Sequence, residues 1–484
     1  MEMRSRIRLQ AEMPALLSGS FAVFPSGPTD LRNGVIFMQK DYNLTEGNIL
    51  PCLLRFTLPV LCALFLQALY GGVDLLIVGQ FAATADVSGV ATSSSLTAML
   101  TQVITGLSTG ITVLVGEMIG QEKPEKAAEA IGNGICLFAA AAVLITLVLV
   151  VGAEHIASLL CAPEEAYAQT VAYIRICGFG AVFIVAYNVL GAIFRGLGDS
   201  NTPLLTVAIA CVCNIAGDLL FVAGLHLGAA GAAAATVMAQ GLSVLISLFF
   251  IRRRTLPFTL TGDSFRLRKG LLLKELRLGA LIALQEIFVG SSFMFIQAIV
   301  NSFGVTASAG VGVAEKVSAF VMLVPSAYMQ SMSAFVAQNL GAGNRTRSRR
   351  ALKLSLITAF AVGVVMLCLQ YFGGGVLSSL FTNDTDVISA SHSYLRAYAI
   401  DSLISPMMFC FIGYFNGCEK SLFVMVQGLI GAIFVRMPIV YLVSRIPGAT
   451  LFMLGLGTVA SSCVQMSLCV GYDLYLSRRT RTQD

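Results

Sequence analysis

The stretch FLQALYGGVDLLIVGQ, Phe65 to Gln80, is apolar almost throughout and carries one carboxylate, Asp74. It sits inside a greasy run, 50–81, longer than the roughly 20 apolar residues a helix needs to cross a bilayer. Runs of that length recur at 90–117, 130–153, 168–194, 202–224, 228–251, 278–302, 310–338, 351–372, 392–416, 421–446 and 450–476, twelve in all. They are continuous rather than alternating, which points to helices and not barrel strands, the two structures that satisfy the backbone in lipid. The chain of 484 residues is 56% hydrophobic and 12% charged, with a mean hydropathy of +0.82. It therefore reads as an all-α polytopic membrane protein with twelve transmembrane helices.

Lysine and arginine set the expected orientation. They cluster in RRRTLPFTLTGDSFRLRKG (Arg252 to Gly270), in GNRTRSRRALK (Gly343 to Lys353) and in the tail SRRTRTQD, all on one face of a twelve-span chain. The opposite connections, such as GAEHIASLLCAPEEAYAQ and FTNDTDVISASHS, carry acids and almost no bases, so both termini are expected in the cytoplasm. The net charge of +5 is thereby a topology signal and needs no nucleic acid to explain it. Twelve cysteines fall largely within spans without a Cys-x-x-Cys pair, and His155, His226 and His392 lack ligand spacing, which argues against a metal site. No phosphate loop, nucleophile elbow or His-Glu-x-x-His helix is present, so an enzyme is not expected and the energy source is expected to be an ion gradient.

Residues 1–47 are a mixed extension and lead-in, with Met38 a plausible true start. Beyond them the chain repeats itself. YIRICGFGAVFIVAYNVLGAIFRGLGDS from Tyr173 aligns without a gap on YLRAYAIDSLISPMMFCFIGYFNGCEKS from Tyr394, an offset of 221. GEMIGQEKPEKA from Gly116 meets AQNLGAGNRTRS from Ala337 at the same offset. The expected organisation is a six-helix lobe at 48–251, a cytoplasmic linker at 252–277, a second six-helix lobe at 278–476 and a tail at 477–484. Parallel repeats of this kind place a binding site between halves that rock about it.

A carboxylate at the centre of a membrane helix costs roughly 2.5–3.5 kcal/mol on insertion scales, so Asp74 is expected to serve a function. Gln67, Tyr70, Gly71 and Asp74 share one helix stripe. In the fifth span CVCNIAGDLLFVAG supplies Asn214 and Asp218, four apart on one face, and GAAAATVMAQ places Thr236 in the sixth. A buried carboxylate resists its charge and a second one nearby adds repulsion, so together these groups would hold a proton until geometry or a competing cation displaced it. The same oxygens suit sodium, and the residues leave the choice open.

The second half departs from this chemistry, because Ile296, Val435 and Ile439 stand at the matching positions. Its own buried charges are Glu286 and Arg436, with Glu286 expected either to face the cavity or to pair with an arginine or hydroxyl. Glu315 and Lys316 are expected to pair with each other, and Asp401 is placed near a span end. Gln67, Tyr70, Tyr187, Asn188 and Glu286 are candidates to line a substrate cavity, with Tyr70, Tyr187 and Phe183 as rings on which cations would stack. Pro59, fifteen residues before Asp74, is a candidate bend.

Together LTEGNILPCLLRFTLPVLCALFLQALYGGVDLLIVGQF, FRGLGDSNTP and FVAQNLGAGNRTRSRRAL resemble the multidrug and toxic compound extrusion (MATE) transporters, over about 48–475. The resemblance implies two six-helix bundles around a central cavity in the bacterial inner membrane, exporting organic cations or drugs in exchange for protons or sodium. Asp74 falls on the family's first-helix acid, Pro59 on its bending proline, Asn214 and Asp218 on the Asn-x-x-x-Asp of one prokaryotic branch, and Thr236 on its sixth-helix threonine. Glu286 resembles an acid of another branch, whose helix-ten acid is replaced here by Ser405. Expected partners are small organic cations and membrane lipid, not nucleic acid, with a monomer as the working unit and no cofactor beyond the coupling ion. The competing expectation is a flippase for a lipid-linked head group, which would need several cavity arginines and lysines.

Overall fold

The computed structural model describes residues 43–253 and 258–481, and among them every regular element is helical. Met38 and the rest of 1–42, like 254–257 and 482–484, lie outside the described residues. The first half comprises α1 Ile49–Phe81, α2 Thr84–Gly120, α3 Pro124–Leu159, α4 Tyr167–Phe179, α5 Ala181–Gly196, α6 Asn201–Asp218 and α7 Gly228–Arg253. The second comprises α8 Lys269–Asn301, α9 Val305–Val321, α10 Leu323–Gly341, α11 Arg345–Ser379, α12 Thr385–Gly417, α13 Ser421–Leu429, α14 Met437–Ser444 and α15 Leu451–Arg481. Eleven spans among the described residues are long and apolar enough to cross a membrane, and the bent pair α4 and α5 can supply a twelfth. This is a multi-pass, all-α membrane protein.

The fourth span is not the single run expected at 168–194. Its two helices bend by 53° at Gly180, where an added Cβ would collide with Val237 of α7. Close packing on α7 thus selects glycine at the break. Two other spans widen by a π turn, Leu219–Gly224 directly after Asp218 and Ile430–Arg436 between α13 and α14. Such wide turns often sit at functional sites. The tail expected from residue 477 is helical as far as Arg481. Part of the expected linker is also folded: the Asn133 side chain on α3 donates to the Arg266 carbonyl (3.2 Å) and accepts from the Arg268 amide (2.8 Å).

Helix α1 belongs to two cores. Its first part packs Leu53, Phe56 and Val60 among Met332, Phe335, Phe411 and Phe415 of α10 and α12. Its last part packs Ile77 and Val78 against Tyr173, Cys177, Val222 and Ala229 of the first half. Arg347 fixes the chain ahead of α1 by donating to the carbonyls of Leu44, Glu46 and Gly47, and Asn339 adds a bond to Leu44 O (3.1 Å).

At the end of the bundle that carries the basic loops the two halves meet closely. A Cβ on Gly120, Gly279 or Gly341 would strike the backbone of the helix across the seam. Gln338 donates to Gly196 O (2.8 Å), and Lys274 of α8 lies 2.9 Å from Glu117 of α2 and 2.5 Å from Glu419.

Candidate functional site

The four residues read as a cation site converge. Asp74 comes from α1, Asn214 and Asp218 from α6, and Thr236 from α7; all are buried, with Asp218 fully so. The two carboxyls face one another. Asn214 Nδ2 donates to Thr236 Oγ1 at 3.4 Å. That leaves Asp74 Oδ1, Asn214 Oδ1 and both Asp218 oxygens buried with no hydrogen-bond partner. Two acceptor-only carboxylates cannot satisfy each other, so their oxygens call for a donor or a positive charge from outside the cluster. An all-oxygen donor set suits a proton or a hard cation.

Sequence reading missed Tyr173 of α4, which lies near both acids and Thr236. A signal for it was present, since Tyr173 opens the internal repeat and aligns on Tyr394.

Tyr70, one helical turn before Asp74, lies beside Gln67 and Gln240 and so stands between the acid pair and a cavity of about 60 Å³. Gln67, Tyr187 and Asn188 line that cavity, with Asn188 accepting from Thr105 Oγ1 at 3.0 Å. Gln330 of α10 contributes from the second half. Three of the expected cavity residues therefore lie together and Tyr70 adjoins them. Glu286 does not join them: it is half-buried on α8 and has no hydrogen bond or ion pair among the described residues. Phe183 is exposed on the far face of α5, over Gly241. Pro59 lies within α1, one residue before the cavity-lining Val60.

The second half holds a different polar cluster, and two expectations change there. Asp401 is not near a span end but midway along the 33-residue α12, only 2% exposed, accepting from Ser405 at 2.5 Å. Glu315 does not pair with Lys316, because consecutive helix residues point apart; its Oε1 is buried without a partner on the side of Tyr394 and Tyr398. Arg436 bonds to Ser292 (3.0 Å) and lies over the Phe293 ring rather than meeting Glu286. Arg436 also lies near enough to Asp401 to act on its charge, so a base accompanies the acid here.

Residues 59–220 and 282–442, well over half the chain, match the model of the MatE family. The chain belongs to the MatE family. It is 27% identical to the probable multidrug resistance protein YpnP of Bacillus subtilis, over 88% of this chain and 95% of that one. The multidrug export protein MepA of Staphylococcus saprophyticus is 19% identical, over 92% and 97%. Among solved structures, a MATE protein in a bent conformation superposes with a TM-score of 0.84 at 20% identity, covering 92% of this chain and 99% of that one. The match in fold therefore extends over nearly the whole described chain.

Proposed function

We propose that this MatE protein is a secondary active transporter that exports organic cations and drugs by alternating access, in exchange for protons or sodium. The observation that carries the reading is the facing pair Asp74 and Asp218, buried on two helices, with three of their oxygens and Asn214 Oδ1 left without a hydrogen-bond partner beside a polar cavity. Ion and cargo compete for this negative charge. With the pair empty, two buried carboxylates repel each other and attract an organic cation near the cavity; a proton or sodium ion removes that attraction and releases the cargo. The names of the relatives, multidrug resistance and multidrug export proteins, support the cargo class.

The flippase reading is weaker, because among the described residues Arg195 is the single basic residue lining the cavity, too few for a pyrophosphate. We place both termini in the cytoplasm of a bacterial cell, on the strength of the basic loops, and take the monomer as the working unit. The experiment is efflux of a fluorescent organic cation from proteoliposomes, with proton and sodium gradients imposed separately on wild type and Asp218→Asn. Transport driven by one gradient and lost in the variant supports the exchange and names the ion. A folded variant that exports like wild type refutes the carboxylate switch.

A further inference from the structure

Cation exchange leaves one group in the cavity without a role. Arg195, at the end of α5, lines the cavity and makes no hydrogen bond or ion pair among the described residues. Among the described residues, none that lines the cavity is an aspartate or glutamate. The nearest acid in sequence, Asp199, is committed to the start of α6, where Oδ1 accepts from the amides of Asn201 (3.0 Å) and Thr202 (3.1 Å) and Oδ2 from the Thr202 hydroxyl (2.5 Å). Guanidinium groups taken out of water are ordinarily paired with an acid. Here the partners on offer are neutral: Tyr187 next to the guanidinium, with Gln67, Asn188, Ser200 and Ser247 around the same space. Gly191, one turn earlier on α5, leaves that space free, since a Cβ there would come within 3.2 Å of Arg195 Nη1.

We propose that this cavity is an anion subsite, in which Arg195 holds a carboxylate carried by an amphoteric cargo. The guanidinium presents paired N–H donors that match a carboxylate, and the surrounding amides and hydroxyls supply further donors. Size favours a single group. About 60 Å³ admits a carboxylate but not a whole drug, for which pockets run to roughly 300–1,000 Å³. The rest of the cargo then lies outside the cavity, on the side where Gln67 and Tyr70 lead toward the acid pair. The assignment rests on the export reading and adds to it a preference among cargoes.

A lipid phosphate offers similar oxygens, so the experiment separates the two sources. The probe is a cationic xanthene dye with a free benzoate carboxylate, compared with the ethyl ester of the same dye. Binding is followed by fluorescence anisotropy with the full chain in phosphatidylcholine nanodiscs. No gradient is applied, so loss of ion coupling does not affect the readout, and a failed export reading stays distinguishable from a failed subsite. The acid is expected to bind wild type about tenfold more tightly than the ester. Arg195→Ala is expected to bring the acid down to the affinity of the ester, with the ester unchanged. Equal binding of the two dyes to wild type overturns the proposal, a comparison that needs no variant to fold. So does a variant that weakens both dyes alike. If phosphatidylglycerol in the nanodiscs displaces the acid dye from wild type while the dyes bind equally, the occupant is lipid phosphate and the cargo assignment falls.

Discussion

Lys274→Met tests whether the ion pairs at the basic end hold the two halves together. Lys274 of α8 lies 2.9 Å from Glu117 of α2 and 2.5 Å from Glu419, so the first contact crosses the seam and the second stays within the second half. The side chains are 37%, 25% and 32% exposed, so solvent screens the pairs and about 0.2–1 kcal/mol is the appropriate range for the crossing contact. That is a shift of roughly 1.4- to 5-fold in the ratio of closed to open seam. Removing the lysine also leaves Glu117 facing Glu419 without a cation between them, which acts in the same direction. Spin labels at Gln121 and Ala342, which flank the seam, report the closed state as dipolar broadening in a cysteine-free background. Lys274→Met is expected to reduce the broadened fraction, and Lys274→Arg to keep it. An unchanged or larger broadened fraction in the methionine variant would refute the lock.

The same labels test a pH dependence. Burial and the neighbouring Glu117 hold the Glu419 carboxyl above the usual glutamate range. A group raised in the closed seam stabilises it below the ordinary value, and that contribution fades as pH rises through the shifted one. Broadening should therefore weaken as pH climbs out of the ordinary glutamate range, and Glu419→Gln should flatten the profile; a profile unchanged by the variant excludes Glu419. At the acid pair, Thr236→Val removes the acceptor of the Asn214 amide and one neutral oxygen. A neutral hydrogen bond contributes about 0.5–1.5 kcal/mol, so the concentration of coupling ion for half-maximal transport should rise roughly 2- to 13-fold, measured in the gradient-driven efflux assay.

Most of the fold was legible because lipid leaves few options: runs of span length can only be helices, and their number follows from the sequence. The break in the fourth span was hidden, since Gly180 resembles many other glycines until Val237 of α7 is seen pressed against it. The acid pair was legible for an energetic reason, as carboxylates inside apolar runs demand an explanation. Asp401 was misplaced because its helix begins at Thr385, well ahead of the apolar run, so an estimate from hydropathy moved it toward an end. Arg195 went unremarked because a base at the edge of a span normally signals topology. Only the cavity distinguishes it.

On the proposed exchange, a change at the acid pair would reach the seam through α1, which both cores share. Its far part, with Asp74, is packed in the first-half core, while its near part is packed in the second-half core and the chain ahead of it is clasped by Arg347. A 33-residue helix spans about 50 Å, so a change where Asp74 meets Asp218 is felt at the other end unless the helix yields between. Pro59 is the place where it can yield, because the ring removes one helix hydrogen bond and crowds the carbonyl of Arg55. Pro59→Ala restores that bond and favours a straight helix by up to roughly 3 kcal/mol. If bending is part of the cycle, the variant should melt higher, bind the dye as wild type does and transport more slowly. A higher melting temperature with an unchanged transport rate would show that α1 moves as a rigid strut, and that the ion acts through α6 instead.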